Sequence, residues 1–123
     1  MKILFLGDVV GDTGCRKIIN DLLSQINKYE IDFVIVNGEN ADSSGKGLNQ
    51  VICEKFFESG VNVITTGNHV WDQKEIMNYI EVENRLLRPK NLFEPAPGSG
   101  FEIFKIKEDY KIGVLNLMGN VFM

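Results

Sequence analysis

The sequence predicts an α/β domain in which a parallel βαβαβ start is followed by an antiparallel hairpin. Three apolar runs, at residues 2–6, 32–36 and 61–66, have the length and composition of buried parallel strands. Segments with helical periodicity separate them, and this alternation is typical of a parallel sheet with right-handed crossovers. Later, residues 101–107 alternate apolar and polar side chains, and after a short turn residues 112–117 are apolar again. That pattern indicates a hairpin.

The helices follow from the apolar spacing between the strands. The first is expected after a turn at residues 11–14 (GDTG), whose Asp12 or Thr13 can cap it. Its apolar positions, up to about Lys28, are Ile18, Ile19, Leu22, Leu23 and Ile26. A polar, glycine-rich loop at residues 41–47 precedes the second helix, which Gly60 ends.

Beyond the third strand the pattern weakens. A short helix is predicted from Asp72 to about Tyr79, an irregular proline-containing stretch follows, and the hairpin turn is expected at residues 108–111. We expect a three-layer domain with a central mixed sheet and flanking helices. Residues 121–123 are all apolar, so the chain looks cut within a domain.

The composition is that of one soluble domain. The chain has 123 residues, 44% of them hydrophobic and 24% charged, enough for a single core over residues 1–123. A formal net charge of −4 supplies no basic surface, so stable nucleic-acid binding is not expected. No run approaches the roughly 20 apolar residues of a membrane span, and Asp8 interrupts the apolar start too early for a signal peptide. Cys15 and Cys53, without CxxC spacing, indicate reduced thiols in a cytoplasmic protein.

Short polar clusters follow all three predicted parallel strands. They are Gly7-Asp8, Gly38-Glu39-Asn40 and Gly67-Asn68-His69. Because the carboxyl ends of parallel strands share one edge of the sheet, these side chains are expected to converge on one crevice. Carboxylate oxygen, amide oxygen and imidazole nitrogen are donors that divalent metal ions take. The sequence therefore predicts a metal-assisted hydrolase.

Some of these polar residues also have a structural interpretation. Asp8 could cap the next helix, although Asp12 and Thr13 stand closer to its start. His69 follows a polar pair at a strand end rather than lying within an apolar face, which favours a functional role. Asp72 could accept a hydrogen bond from the His69 ring or cap the helix predicted to begin there, and the sequence slightly favours capping.

The three clusters resemble the first three motifs of the calcineurin-like metallophosphoesterases. That family's pattern is Asp-x-His, then Gly-Asp-x-x-Asp, then Gly-Asn-His-Asp/Glu. Here Val10 replaces the first histidine and Glu39 replaces the second aspartate. With these two departures and the segments GDVVG, GENA and TGNHVWD, the sequence resembles the bacterial branch associated with 2′,3′-cyclic-nucleotide phosphodiesterase activity.

The resemblance implies a dinuclear metal centre that hydrolyses 2′,3′-cyclic nucleotides or related phosphoesters through a metal-bound hydroxide. It implies that Asp8 holds one ion, that Glu39 bridges the two ions and that Asn68 holds the other. Asn40 would join Asp8, and His69 would assist the leaving group or the phosphoryl oxygens. Iron, manganese and zinc suit these donors about equally.

The family also supplies later histidines, including a His-x-His motif, and this chain carries only one histidine. With His69 reserved for catalysis, the donors for two ions are Asp8, Glu39, Asn40 and Asn68. We therefore expect the chain to be about the first half of a metallophosphoesterase domain, with poor metal binding and turnover by itself. The sheet edge and helix faces left open in such a half favour a homo-oligomer.

Two other classes of protein stay open at this point. A Rossmann-type nucleotide-binding module also places glycines after its first strand, although the spacing here is not G-x-G-x-x-G, and Asp8 would face the pyrophosphate without a counter-charge. The loop at residues 43–47 lacks the order of a P-loop. A non-catalytic assembly module would form oligomers and show no metal dependence.

Overall fold

The strands form two separate sheets in a computed structural model that describes residues 1–107 and 109–120. The elements are β1 (Ile3–Leu6), α1 (Gly11–Tyr29), β2 (Phe33–Asn37), α2 (Gln50–Glu58), β3 (Val63–Thr65), α3 (Ile76–Val82), β4 (Leu86–Leu87), β5 (Phe101–Lys107) and β6 (Tyr110–Leu115). β1 to β4 pair in parallel in that order, and β5 pairs antiparallel with β6. The predicted α/β class, with its parallel start and its hairpin, is confirmed.

The first two helices cover one face of the parallel sheet. Val36 of β2 and Ile64 of β3 are fully buried there and share a core with Leu22 of α1 and Phe56 of α2. Burying a side chain of this size stabilises a fold by about 1.5–3 kcal/mol, so this core is the main source of stability. The sheet is thereby held against the helices, and the ends of its strands become a fixed platform.

The hairpin covers the opposite face of the parallel sheet. Phe33, Val63 and Leu87 meet Val114 of β6 there, and the rings of Phe33 and Phe104 lie 5.7 Å apart. An isolated hairpin is marginally stable in water, so these contacts are what hold it. The predicted mixed sheet is therefore wrong. The molecule has three layers, but the hairpin stacks on the parallel sheet instead of joining it.

The first helix begins earlier than predicted. α1 starts at Gly11 after Val10, and no side chain caps it, so residues 11–14 are helical and neither Asp12 nor Thr13 acts as the cap. Tertiary contacts replace the cap, because the Gly11 N–H donates to the Asn40 carbonyl over 2.9 Å. The N-terminal turn of this helix is thus tied to the loop that follows β2.

The stretch between β3 and the hairpin contains an unpredicted strand. β4 is two residues long and pairs Leu86 with Ile64 and Leu87 with Thr65. The buried Arg88 organises the proline-rich segment beyond it, donating to the carbonyls of Pro89, Ala96 and Pro97 and to the Glu94 carboxylate. The segment is therefore irregular but hydrogen-bonded, and it holds the parallel sheet to the hairpin.

Both cysteines are free thiols in the interior. Burial, and next to it the charge of Asp12, raises the pKa of the Cys15 thiol, which donates to the Ala41 carbonyl over 3.1 Å. Burial likewise raises the pKa of Cys53, which packs in the core beside the parallel sheet. Of the predicted hairpin turn, Glu108 lies outside the described residues, as do residues 121–123. In the described chain, no helix combines the length and the hydropathy that a bilayer crossing needs.

Candidate active site at the strand ends

The carboxyl ends of β1, β2 and β3 open at one edge of the sheet. The parallel register aligns Leu6 with Val36 and Asn37 with Thr65, so the three polar clusters leave neighbouring strands at one level. The clusters lie at the same edge, as expected, with Asp8 beside Asn40 and Glu39 beside Gly67. β2 and β3 are mostly buried. β1 is an edge strand with Ile3 and Phe5 exposed, so the prediction of a buried first strand is wrong.

Asp8 and Asn40 contact each other directly. The Asn40 side-chain amide donates from Nδ2 to Asp8 Oδ2 over 2.7 Å, and the backbones of Val10 and Asn40 form an isolated parallel bridge. The Asp8 carboxylate is exposed, and Asn40 keeps its Oδ1 as an acceptor. This pair brings one carboxylate and one amide oxygen together at this edge of the sheet.

The carboxylate of Glu39 occupies the space that a side chain at position 67 would fill. A Cβ built on Gly67 would coincide with Glu39 Oε2, so glycine at this position is what allows the carboxylate to approach the end of β3. Burial, and next to it the negative charge of Asp8, raises the pKa of Glu39, whereas His69 lowers it. Glu39 therefore lies within electrostatic reach of both neighbouring clusters.

His69 is oriented by Asp72 rather than left free at the strand end. Its Nδ1 lies 2.9 Å from Asp72 Oδ2. The prediction that Asp72 caps the following helix is wrong, because α3 begins at Ile76 and its cap position is Glu75. The turn between β3 and α3 uses the Asp72 carboxylate for the histidine instead.

A cleft of about 390 Å³ lies along these strand ends. Glu39, Gly67 and Asn68 form one side of it, and the segment that follows β6, residues 116–119, forms the other. Sequence reasoning missed this second wall. The available signal was Asn116, a polar residue in an apolar strand pattern, which is buried and donates from Nδ2 to the carbonyls of Thr66 and Leu87 over 2.8 and 3.0 Å.

The donors at this edge fit a hard divalent cation in type but are few in number. Asp8 and Glu39 supply carboxylate oxygens, Asn40 and Asn68 supply amide oxygens, and none of the ion pairs in the described chain neutralises the two carboxylates. Within the same described residues, no group of three or more His, Cys, Asp or Glu side chains is placed to hold a metal ion. The assignment of these four residues as ligands stays a prediction.

The geometry disfavours the Rossmann alternative. A dinucleotide site uses the free N–H groups at the start of the first helix to bind a pyrophosphate. Here the Gly11 N–H donates to Asn40, and the exposed Asp8 carboxylate stands at the same end of the sheet. An anion would meet a carboxylate where that fold requires free donors.

Comparisons with known proteins agree with the geometry. A 2′,3′-cyclic-nucleotide 2′-phosphodiesterase of Bacillus subtilis is 42% identical over 124 residues, a match that covers 100% of this chain and 46% of the relative. The crystal structure of a hypothetical protein from Thermus thermophilus superposes with a TM-score of 0.90 at 36% identity, covering 100% of this chain and 47% of that one. A novel phosphatase from Mycoplasma pneumoniae gives a TM-score of 0.87 at 40% identity, covering 98% and 43%.

The chain spans about half the length of the curated relatives that it matches. A family model described as YmdB-like protein matches residues 4–123, nearly the whole sequence. The resemblance of the GDVVG, GENA and TGNHVWD segments to a bacterial phosphodiesterase branch is confirmed by these matches. This chain belongs to the YmdB-like protein family.

Proposed function

We propose that the chain supplies catalytic groups to a metal-dependent phosphodiesterase that acts on 2′,3′-cyclic nucleotides or related phosphoesters. The observation that carries the proposal is that the Asp8–Asn40 pair, Glu39 and the Asn68-His69 cluster meet at one edge of the parallel sheet, where Glu39 and Asn68 line a cleft. The relative from Bacillus subtilis named as a 2′,3′-cyclic-nucleotide 2′-phosphodiesterase supports the substrate class.

In this proposal Asp8 and Asn40 would hold one divalent ion, Asn68 would hold a second, and Glu39 would be a ligand of both. Iron, manganese or zinc bound there would act as a Lewis acid on the phosphoryl group and would generate a nucleophile from water near neutral pH. The chain's own residues position the Glu39 carboxylate and the His69 ring. The Gly67 gap fixes where the Glu39 carboxylate stands, and the turn after β3 fixes His69.

His69 would act on the substrate rather than hold a metal ion. Its ring is partly exposed, with 26% of the side chain accessible, and its Nε2 is not used by the contact with Asp72. In the imidazolium form, in which Nδ1 and Nε2 both carry a hydrogen, Nε2 could deliver its proton to the leaving oxygen of the phosphoester. This is the role of a positioned general acid, which requires only reach to the reacting group.

An assembly role is the second candidate, and one observation favours it. Ile3 and Phe5 of the edge strand β1 are 46% and 60% exposed, and the hairpin carries the exposed residues Phe101, Ile103 and Leu115. Exposed apolar residues on a strand edge favour association with another chain. A homo-oligomer therefore stays a prediction, and it is compatible with the hydrolase.

The proposed function can be tested in a chimera. In this chimera the present chain replaces the matching 46% of the Bacillus subtilis relative, so that the rest of the domain is supplied. We expect hydrolysis of a 2′,3′-cyclic nucleotide that stops when a chelator removes the metal and returns when manganese is added. Full hydrolysis in the chelated protein would contradict the metal-dependent function.

Gly67→Ala is expected to remove metal and activity from the chimera without unfolding it. The new methyl group would take the place of Glu39 Oε2, and the flexible end of that side chain can move where backbone could not. Gly67 also has no positive φ, so alanine fits its backbone. The readouts are metal content, turnover and the thermal unfolding midpoint.

Gly119→Ala is the matched control for this substitution. Gly119 lines the same cleft, and no atom lies within 4 Å of a Cβ built there. The control should keep both metal and turnover. Equal metal content in the Gly67→Ala and Gly119→Ala proteins would show that the Gly67 gap does not position a ligand.

A further inference from the structure

The contact between His69 and Asp72 fixes which ring nitrogen is free. The 2.9 Å contact joins Nδ1 to Asp72 Oδ2. An ionised carboxylate can only accept a hydrogen bond, and beside such a group the ring hydrogen lies on Nδ1. Of the two ring nitrogens, only Nε2 is left to meet a substrate.

The turn that carries both residues is anchored in the core. Val70, between them, is 1% exposed and donates its N–H to the Gly67 carbonyl over 3.2 Å. The Asp72 N–H donates to the His69 carbonyl over 3.1 Å. These bonds set the spacing of the two side chains, so the contact does not depend on a freely moving loop.

The glycine-rich loop before α2, residues 41–47, packs against Asp72. A Cβ built on Gly47, whose φ is +78°, would lie 3.2 Å from the Asp72 Cβ and 3.2 Å from the His69 carbonyl oxygen. The Gln73 side chain donates to the Lys46 carbonyl over 3.2 Å. The Gly47 N–H in turn donates to the Glu39 carbonyl over 2.6 Å, so one loop braces both the end of β2 and the histidine turn.

Asp72 has no competing use in the part of the chain that the structure describes. Its carboxylate contacts His69 and forms no other hydrogen bond or ion pair with the described residues. A capping role is excluded because α3 begins at Ile76. The carboxylate is therefore available to hold the ring in one orientation and one tautomer.

We propose that Asp72 is a positioning residue that holds His69 as the Nδ1–H tautomer and so assigns Nε2 as the atom that acts on the phosphoester. The inference rests on the proposed function, because it names the reacting atom of the same site. It also predicts a property that can be measured without catalysis. The chain has one histidine, so the ring signals of the labelled protein belong to His69 alone.

The test is ¹⁵N NMR of the histidine ring in the 123-residue chain at alkaline pH, where the neutral tautomers are compared. We expect Nδ1–H to predominate in the wild type. Asp72→Ala should move the population towards Nε2–H, and Asp72→Asn, which keeps an acceptor oxygen, should restore Nδ1–H. Glu75→Ala, which removes a nearby charge without touching the ring, should match the wild type. Predominant Nε2–H in the wild type would overturn the proposal, whatever the variants do.

Kinetics in the chimera separate this inference from the proposed function. We expect Asp72→Ala to lower kcat by about 10–100-fold, as loss of a supporting hydrogen bond does at other sites, with KM unchanged. If His69→Asn leaves hydrolysis intact, the proposed role of His69 fails, and with it the assignment of Nε2. If His69→Asn abolishes hydrolysis but Asp72→Ala lowers neither kcat nor the Nδ1–H population, the positioning role alone fails.

Discussion

Replacing Glu39 with Gln is expected to remove most of the bound metal from the chimera. The substitution keeps the size of the side chain beside Gly67 but removes the charge proposed to bridge two cations. The loss in affinity should exceed the about 10–100-fold that follows removal of an outer-shell partner, because a direct ligand is lost. Metal analysis of the purified protein measures it.

The same substitution should not destabilise the metal-free chain. Burial and the charge of Asp8 raise the pKa of Glu39, so its charged form is disfavoured in the fold. The free energy of unfolding therefore falls as the pH rises from the pKa of this carboxyl in the unfolded chain through its raised pKa in the fold. An uncharged Gln does not titrate and avoids this loss of stability. Val10→Ala is the control, since Val10 is 55% exposed and its bridge to Asn40 is made by backbone that alanine keeps. Equal metal in Glu39→Gln and Val10→Ala would reject the bridging role.

Replacing His69 with Asn should leave the metal content intact and lower turnover by about 10²–10⁴-fold, the range expected when a positioned acid or base is lost. The reason is that His69 contacts Asp72 through Nδ1, which leaves Nε2 for the substrate, and the proposal gives the ring no metal ion to hold. Turnover and metal content measured on one preparation separate the interpretations. Loss of metal would make His69 a ligand, and unchanged turnover would make it structural.

The fold near the site follows from the sequence because each of its parts is locally encoded. Residues 2–6, 32–36 and 61–66 are largely apolar runs followed by polar clusters, and strand pairing brings those clusters to one edge of the sheet. The side-chain contacts within the site could not be predicted from these local patterns. The approach of Glu39 to Gly67 depends on two strand ends that are 28 residues apart in the sequence numbering, from 39 to 67.

The elements that sequence reasoning missed are set by tertiary contacts. β4 has only two residues, too few to show an alternation of apolar and polar side chains. It forms because Leu86 and Leu87 pair with β3. Gly11 and Gly14 have turn composition, yet α1 includes them because the Gly11 N–H finds its acceptor in Asn40. Asn116 joins the cleft only after the hairpin has stacked on the sheet.

The isolated 123-residue chain should bind metal weakly and turn over poorly. In the proposal four side chains serve the pair of ions, namely Asp8, Glu39, Asn40 and Asn68, and each divalent ion of this kind takes about four to six donor atoms. Readily measurable hydrolysis of a 2′,3′-cyclic nucleotide by this chain alone would contradict the expectation that the remaining donors come from elsewhere.

The most direct test of the metal site is an anomalous-scattering map from crystals of the chimera soaked in manganese. We predict two peaks beside the strand ends, one next to Asp8 and Asn40 and one next to Asn68, with the Glu39 carboxylate between them. Their absence at saturating manganese, or peaks that lie only at other places on the molecule, would contradict the assignment of this edge as a dinuclear metal centre.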